Sequence, residues 1–466
     1  MASGILGIAL TGLNAAQAGI RVTEHNISNV NTLGYRRQEA DFAALPPQYT
    51  GAGYFGTGAG VETVRSLYSQ FLDNELLLDQ AQMARYESYT AGATQLDKML
   101  GDSGSGLSTA IDSFFGALNE LANDPTSGAA RQIVLSAGTN LAGRVNTLDA
   151  QLRTSIASTN SELASLTSQV NLYAGQIAKL NDDIARAEAA AVGQPANDLR
   201  DQRQQLITDL NKLVNVSTVQ QGDGSVNVFI GSGQPLVVGN NAYTMSTALD
   251  PNNSMLRVPT LDVGGTVLTL NSSLITGGRM GGLLDYREEV LLPAFDDLNN
   301  LAVTIGTEVN TLHQSGLDYN LNAGGNFFTD PASVPSGDYA RQMKMVLTDT
   351  SQVAAAAIGA DGPGDNTNAL ALADLRFKAV IGTSTFSEAY GQTISRTAAR
   401  ASEADLNLSA YRTLTASAEA ASRSVSGVNL DEEAMNLVRF QQAYQASAKA
   451  MKVASDLFNE VLGILR

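Results

Sequence analysis

Between Val145 and Ala187 the apolar residues keep one helical spacing for longer than an ordinary globular helix. Leu148, Leu152, Ile156, Thr159, Leu163, Leu166, Val170, Tyr173, Ile177, Leu180, Ile184 and Ala187 follow one another in steps of three and four, as on a helix packed along its whole length. The additional step of four from Leu152 to Ile156 is a stutter that locally relaxes supercoiling. A rod of about 90 Å is therefore expected from Arg131 to Val192, stopped by Gly193-Gln194-Pro195. A shorter helix follows from Asn197 through Leu199, Leu206, Leu210 and Leu213.

The period then changes. Val214 to Leu270 holds short β-branched runs separated by Gly, Asn and Asp, among them Val226-Asn227-Val228-Phe229-Ile230 after the turn Gly222-Asp223-Gly224. Helical spacing returns at Leu291, Phe295, Leu298, Ala302, Ile305, Val309 and Leu312. It returns again along a seam from Tyr390 through Ala401, Leu408 and Tyr411 to Val425. The stretch from Gly316 to Asn366 is rich in turn residues and has only weak strand candidates.

The two ends share a character. Leu6, Leu10, Leu13, Ile20 and Ile27 lie on one face near the N-terminus, and Leu437, Tyr444, Met451, Phe458 and Leu465 repeat every seven residues near the C-terminus. Gln441, Ala448, Ser455 and Leu462 are the expected intervening seam positions. Asn429 is the expected cap of the last helix, with Glu432 placed as in a capping box. Ile5, Ile8, Val438 and Phe440 widen the apolar surface beyond one stripe, so each helix needs more than one neighbour. Either both are core helices of a monomer, or they pair with each other and pack against copies in other subunits. Gly4, Gly7, Gly12 and Gly19 make the first helix weak alone, each costing about 0.5–1 kcal/mol against Ala.

Composition removes much chemistry. With 29 Lys and Arg against 46 Asp and Glu in 466 residues, the net charge is −17, which argues against a nucleic-acid partner. There is no Cys and there are two His, so thiolate metal sites and a structural zinc cluster are excluded. Ile5 to Leu10 is too short and lacks the basic flank of a cleavable signal peptide. No stretch approaches the run of about 18 apolar residues that would span a membrane, so no membrane insertion is expected. Gly51-Ala52-Gly53-Tyr54-Phe55-Gly56 matches a dinucleotide fingerprint in letters only, because it follows Pro46-Pro47 and precedes an extended segment. Asp318 to Asn322 begins like a calcium loop, but Ala323 and Thr329 replace the required glycine and glutamate. His25 and His313 have no nucleophile in a recognisable local context. No catalytic residue, cofactor or metal site is expected, and the chain reads as a non-enzyme.

The run from His25 to Arg37, which contains Asn26, Asn29, Asn31, Gly34 and Tyr35, resembles the N-terminal signature of the flagellar rod, hook and hook-associated proteins. Gly427 to Glu433 and Arg439 to Ala446 resemble the other end of that family. Four internal stretches (196–203, 224–239, 281–287 and 365–372) are similar to its members at the hook–filament junction. The resemblance implies a mainly α fold with β inserts. Residues 1–34 and 427–466 would pair as an inner coiled-coil domain. Residues 35–213 and 278–426 would form a helical rod domain with an irregular segment at 316–366, and 214–277 an outer β-rich insert. It further implies a ring of copies of the chain between hook protein and hook-associated protein 3, outside the cell on the flagellum. Export would proceed without a cleavable signal, with a chaperone on the C-terminal helix. The ten terminal residues from Leu6 to Ile27 and from Leu437 to Leu465 named above are then the assembly interface. A rod or hook subunit, or an adhesive or enzymatic outer domain on such a scaffold, are the alternatives.

Overall fold

The computed structural model describes residues 2–101 and 106–464. Its backbone is α1 (Ala2–Ser28), α2 (Gln70–Leu100), α3 (Leu107–Asn123), α4 (Gly128–Ala190), α5 (Asn197–Leu213), α6 (Gly278–Tyr286), α7 (Leu292–Gln314), α8 (Tyr339–Gln342), α9 (Thr367–Asp374), α10 (Phe386–Ser426) and α11 (Leu430–Ile464). Between α1 and α2 lie β1 (Gln38–Ala44) and β4 (Ala59–Ser66), an antiparallel pair, with the small hairpin β2 (Gln48–Thr50) and β3 (Gly53–Phe55) beyond it. Residues 38–66 are thus strands laid against α1, in keeping with the extended segment read after Gly56.

Helix α4 has 63 residues, about 95 Å of helix. Ser127 caps its start by accepting from the Ala130 N–H, and Gly193 at φ +83° leads the chain away from its end. The first half of α4 buries the expected seam from Val145 to Val170. Beyond Val170 the buried positions move by one residue, to Ala174, Asn181 and Glu188, while Tyr173, Leu180 and Ala187 are half-buried. Polar chemistry causes the shift. Asn181 donates to the Val226 and Gly239 carbonyls at 2.8 and 2.6 Å, and Glu188 holds Arg200 through two bonds at 2.6 and 2.8 Å. Ile177 and Ile184 stay buried as their spacing implies, so these hydrogen bonds add to apolar packing at that end of the rod.

Helices α2 and α10 run antiparallel, with Tyr86 stacked on Tyr411 and the Tyr390 hydroxyl donating to the Leu100 carbonyl. They join α3, α4 and α7 around Phe114, Phe115, Leu118, Phe295 and Phe386, the main core. A second core sits where α4, α5 and α6 meet the β-rich insert. The insert comprises an antiparallel sheet of β5 (Val216–Gln220), β6 (Val226–Ile230), β7 (Gln234–Val238) and β8 (Asn241–Ala242). Its second sheet, ordered β11-β10-β9, is made of β9 (Thr244–Leu249), β10 (Arg257–Val263) and β11 (Thr266–Thr269).

The turn-rich stretch 316–366 does not stand outside. It carries the two-residue pair β12 (Gly316–Leu317) and β13 (Ala356–Ala357), the single turn of α8 and two 3-10 turns, yet Phe327, Phe328, Met343 and Val353 are buried in the main core. Asn310 on α7 secures it, accepting from the Phe327 and Phe328 N–H groups and donating to the Phe328 carbonyl. Asp318 Oδ1 accepts from the Asn320 and Asn322 N–H groups, closing its loop on itself.

His313 is structural. Its Nδ1 faces the Gly325 carbonyl at 2.7 Å and its Nε2 accepts from the Ala354 N–H at 2.9 Å, which fixes a neutral ring protonated on Nδ1. Burial pushes its pKa below the ordinary value. A lowered folded-state pKa gives stability that is present above about pH 6.5 and lost as pH falls through the folded value. The protection factor of the Ala354 amide is accordingly expected to drop between pH 7 and pH 5. A factor constant over that range would show that Nε2 does not hold this amide.

Candidate assembly interface

Helices α1 and α11 pack antiparallel, and the residues between them are small. On α1 the seam is Ala9, Gly12, Ala16, Gly19, Thr23 and Asn26; on α11 it is Glu433, Phe440, Ser447 and Ala454, every seven residues. A Cβ on Gly19 would lie 2.6 Å from the Phe440 ring, and one on Gly12 would lie 2.9 Å from Ser447 Oγ. These two glycines weaken the helix locally but allow the close approach. Gly4 and Gly7 meet nothing within 4 Å.

Most of the larger apolar residues point elsewhere. Leu6, Leu13, Ile20 and Ile27 are half-buried, Leu10 is 49% exposed, and Ile5 and Ile8 are exposed too. On α11 Leu437 and Met451 are half-buried, Tyr444 and Phe458 are exposed, and Leu465 lies outside the described residues. The expected intervening positions Gln441 and Ser455 face solvent and Ala448 is half-buried, because the seam runs one residue earlier, through Phe440, Ser447 and Ala454. Among the described residues of α11, only Glu433 and Ala454 are buried. The stretch Gly4–Ser28 of α1 is long and apolar enough, by length and composition alone, to cross a membrane. Here its Ala- and Gly-lined side is covered by α11, while Ile5, Ile8 and Leu10 are exposed.

The base of the helix pair is polar and closely tied. Asn26 uses all four of its hydrogen-bonding positions. Its Nδ2 donates to the Gln38 carbonyl at 2.9 Å and to Glu433 Oε2 at 3.2 Å; its Oδ1 accepts from the Gln38 N–H at 2.9 Å and the Tyr35 hydroxyl at 2.7 Å. Arg37 pairs with Glu433 at 2.9 Å and with Glu432 at 2.7 Å, so Glu432 reaches Arg37, while the cap of α11 comes from Asn429 Oδ1 accepting the Asp431 N–H. Asn29 donates back to the His25 carbonyl at the end of α1. Gly34 turns the chain at φ +78° against Gln205, and Asn31 is exposed in the same turn. Of the signature residues, Asn26 and Tyr35 therefore meet in one cluster, Asn29 and Gly34 shape the approach to it, and Asn31 stands apart.

The first turns of α5 join this cluster to the rod. Asp198 accepts from Gln38 Nε2 at 2.8 Å and lies 3.2 Å from His25 Nε2. Asn197 donates to the Val64 carbonyl, and Asp201 accepts from the Arg36 N–H. The Arg36 side chain lies over Tyr68 and pairs with Asp73 on α2. Burial, with Asp198, Asp201 and Glu433 nearby, pushes the Tyr35 hydroxyl well above its usual range. It therefore stays a donor at any ordinary pH.

Burial pushes the Asp201 carboxyl up to about 6, against the opposing pull of Arg36. A raised folded-state pKa gives stability that is full below about pH 4 and lost as pH rises through about 6. Asp201→Asn keeps the acceptor for Arg36 without the charge, and is expected to stabilise the protein at pH 7.5 by about 1–3 kcal/mol and much less at pH 4.5. Parallel melting curves for wild type and variant at the two pH values would contradict this.

Comparison with known proteins places these features in context. Residues 93–328 match the family model described as flagellar hook-associated protein FlgK helical domain, and residues 423–464 match that of the flagellar basal body rod FlgEFG protein C-terminal. The chain is 29% identical to flagellar hook-associated protein 1 of Escherichia coli, with 99% of this chain and all of that protein covered. It is 27% identical to the Bacillus subtilis protein of the same name, covering 99% and 98%. The Escherichia coli alignment runs over 553 positions for a chain of 466 residues, so this chain lacks segments that its relative carries. The structure of the flagellar hook junction protein FlgK from Burkholderia pseudomallei superposes with a TM-score of 0.69 at 21% identity. That match covers 76% of this chain and all of the other, a likeness of fold.

Proposed function

Because the chain belongs to the family of flagellar hook-associated protein FlgK, we propose that it forms the junction ring between hook and filament, a structural role without catalysis. The observation that carries this reading is the unequal use of α1 and α11. The monomer covers a seam of Ala, Gly and Ser and leaves Ile5, Ile8, Leu10, Tyr444 and Phe458 uncovered. Neighbouring copies of the same helix pair supply that cover. About 400 Å² of apolar surface removed from water per subunit is worth about 10 kcal/mol, enough to offset the ordering of terminal segments that are marginal alone.

Its neighbours in this reading are hook protein on one side and hook-associated protein 3 on the other. The chain reaches the cell exterior unfolded and without a cleaved signal, escorted by a chaperone on α11. The inner domain comprises 1–34 and 427–466, the rod 35–213 and 278–426, and the outer insert 214–277. The match of the last helix to a model of rod proteins supports a packing mode shared along the flagellar axis.

Imaging a strain without this gene tests the role: hooks without filaments, and flagellin shed into the medium, are expected. Truncation after Ser426 should leave a folded, soluble product that does not join hook to filament. A truncated chain that still bridges the two would overturn the role given to α11.

A further inference from the structure

Beside the base of the helix pair, α5 and the segment leading into α2 enclose a cavity of about 410 Å³. Four guanidinium groups line it (Arg36, Arg65, Arg200 and Arg203), against the two carboxylates of Asp73 and Asp201. A positive excess is unusual in a chain of net charge −17. We propose that this cavity is a binding site for an oxyanion of the carboxylate or phosphate class.

Arg203 carries the inference. It is 4% exposed, and its Nη1 donates to two neutral oxygens, Asn181 Oδ1 and the Gly224 carbonyl, each at 2.8 Å. Among the described residues no carboxylate stands within ion-pair distance of it. The other three guanidinium groups differ, each being paired: Arg36 with Asp73, Arg65 with Asp41, and Arg200 with Glu188. Burial, reinforced by the neighbouring Arg200, lowers Arg203 to about 10, as expected of a cation without a counter-charge.

Arg131, also buried, shows what a more fully satisfied guanidinium looks like. Arg131 spends Nε and Nη1 on the carbonyls of Pro125, Thr350 and Val353 and lies over the Tyr319 ring. Arg203 instead retains donors on the wall of an open cavity, since a guanidinium has five N–H groups in a fixed fork. Ser66 on the same wall has a buried hydroxyl without a partner. An oxyanion in the cavity supplies the counter-charge that Arg203 lacks. Its source is either a free ion or a carboxylate of a neighbouring copy.

Calorimetric titration of the full chain with inorganic phosphate, at constant ionic strength made up with sodium chloride, tests the site. Saturable binding is expected, weakened at least fivefold in Arg65→Gln and lost in Arg203→Met. Arg65 is half exposed, so Arg65→Gln should melt as wild type without phosphate and keeps the test decisive if Arg203→Met fails to fold. Heats that do not saturate, or equal affinity in Arg65→Gln, would overturn the proposal. Competition between Arg65→Gln and wild type for places in the flagellum then separates the sources. Reduced incorporation identifies a carboxylate from a neighbouring copy, and equal incorporation alongside weakened phosphate binding identifies a free anion.

Discussion

A single methyl group on Gly282 is expected to cost the fold about 3–5 kcal/mol, in the range of severe overpacking. A Cβ there would lie 2.0 Å from the backbone oxygen of Arg85 and 2.8 Å from its carbonyl carbon. Backbone cannot swing aside as a side chain can, so α6 must back away from α2. That movement pulls on the Arg85–Asp285 ion pair at 2.6 Å and the Tyr89–Glu289 hydrogen bond at 3.0 Å. It also opens the place where Gly92 accommodates the Tyr286 ring. Gly116 is the matched control, a glycine inside α3 with nothing within 4 Å of its Cβ position. Gly116→Ala should be neutral or stabilising by about 0.5–1 kcal/mol. Thermal melting of the two variants separates these outcomes, and a Gly282→Ala protein that melts like wild type would show that the helices can part without penalty.

The second large effect is expected at Asn26. Asn26→Asp preserves shape but places a carboxylate against Glu433 and against the Gln38 carbonyl, both of which now accept from Nδ2. Two buried like charges and a lost donor should cost about 3 kcal/mol or more. The loss should fall on the terminal helices rather than the rod. Glu433→Gln alone gives up the ion pair with Arg37 and should cost about 1–3 kcal/mol. Combined, the two changes should cost less than their sum, because the amide introduced by Glu433→Gln can donate to the carboxylate introduced by Asn26→Asp. The rate of proteolytic clipping in 26–38 and in α11 reads all three variants. Additive costs would show that Asn26 and Glu433 do not communicate.

The sequence was most legible where packing is apolar and periodic. The positions from Leu291, just before α7, to Val309, the first half of α4 and most of the α10 seam were buried as their spacing implies. The strands of the insert were announced by β-branched runs and turn residues. What escaped was polar or small. Asn181, Glu188 and Glu433 are buried seam residues, and a reading that counts alkyl groups steps past them to the nearest apolar neighbour. In α1 the eye follows Leu6, Leu10 and Leu13, while the helix actually closes on Ala9, Gly12, Ala16 and Gly19. The burial of 316–366 could not be foreseen either, since Asn310 and Phe327 meet only once the chain has folded back.

At the interface the signature run was legible as a unit, but its partners were not. Asn26, which also accepts from Tyr35, finds Glu433 some four hundred residues away, and Asp198 and Asp201 reach His25 and Arg36 from another helix. No local spacing encodes such pairings. The direction in which the large apolar residues point was likewise hidden, because a helical period gives faces and not their occupants.

Amide exchange on the purified monomer at low concentration probes the terminal helices most directly, with α4 as the internal standard. Residues of α1 before Gly12 and of α11 beyond Phe440 should exchange orders of magnitude faster than the buried face of α4 from Leu148 to Val170, since few of their side chains are covered. Protection in α1 and α11 equal to that of α4 would mean that the lone molecule already completes them, and that neighbouring copies are not what orders the chain ends.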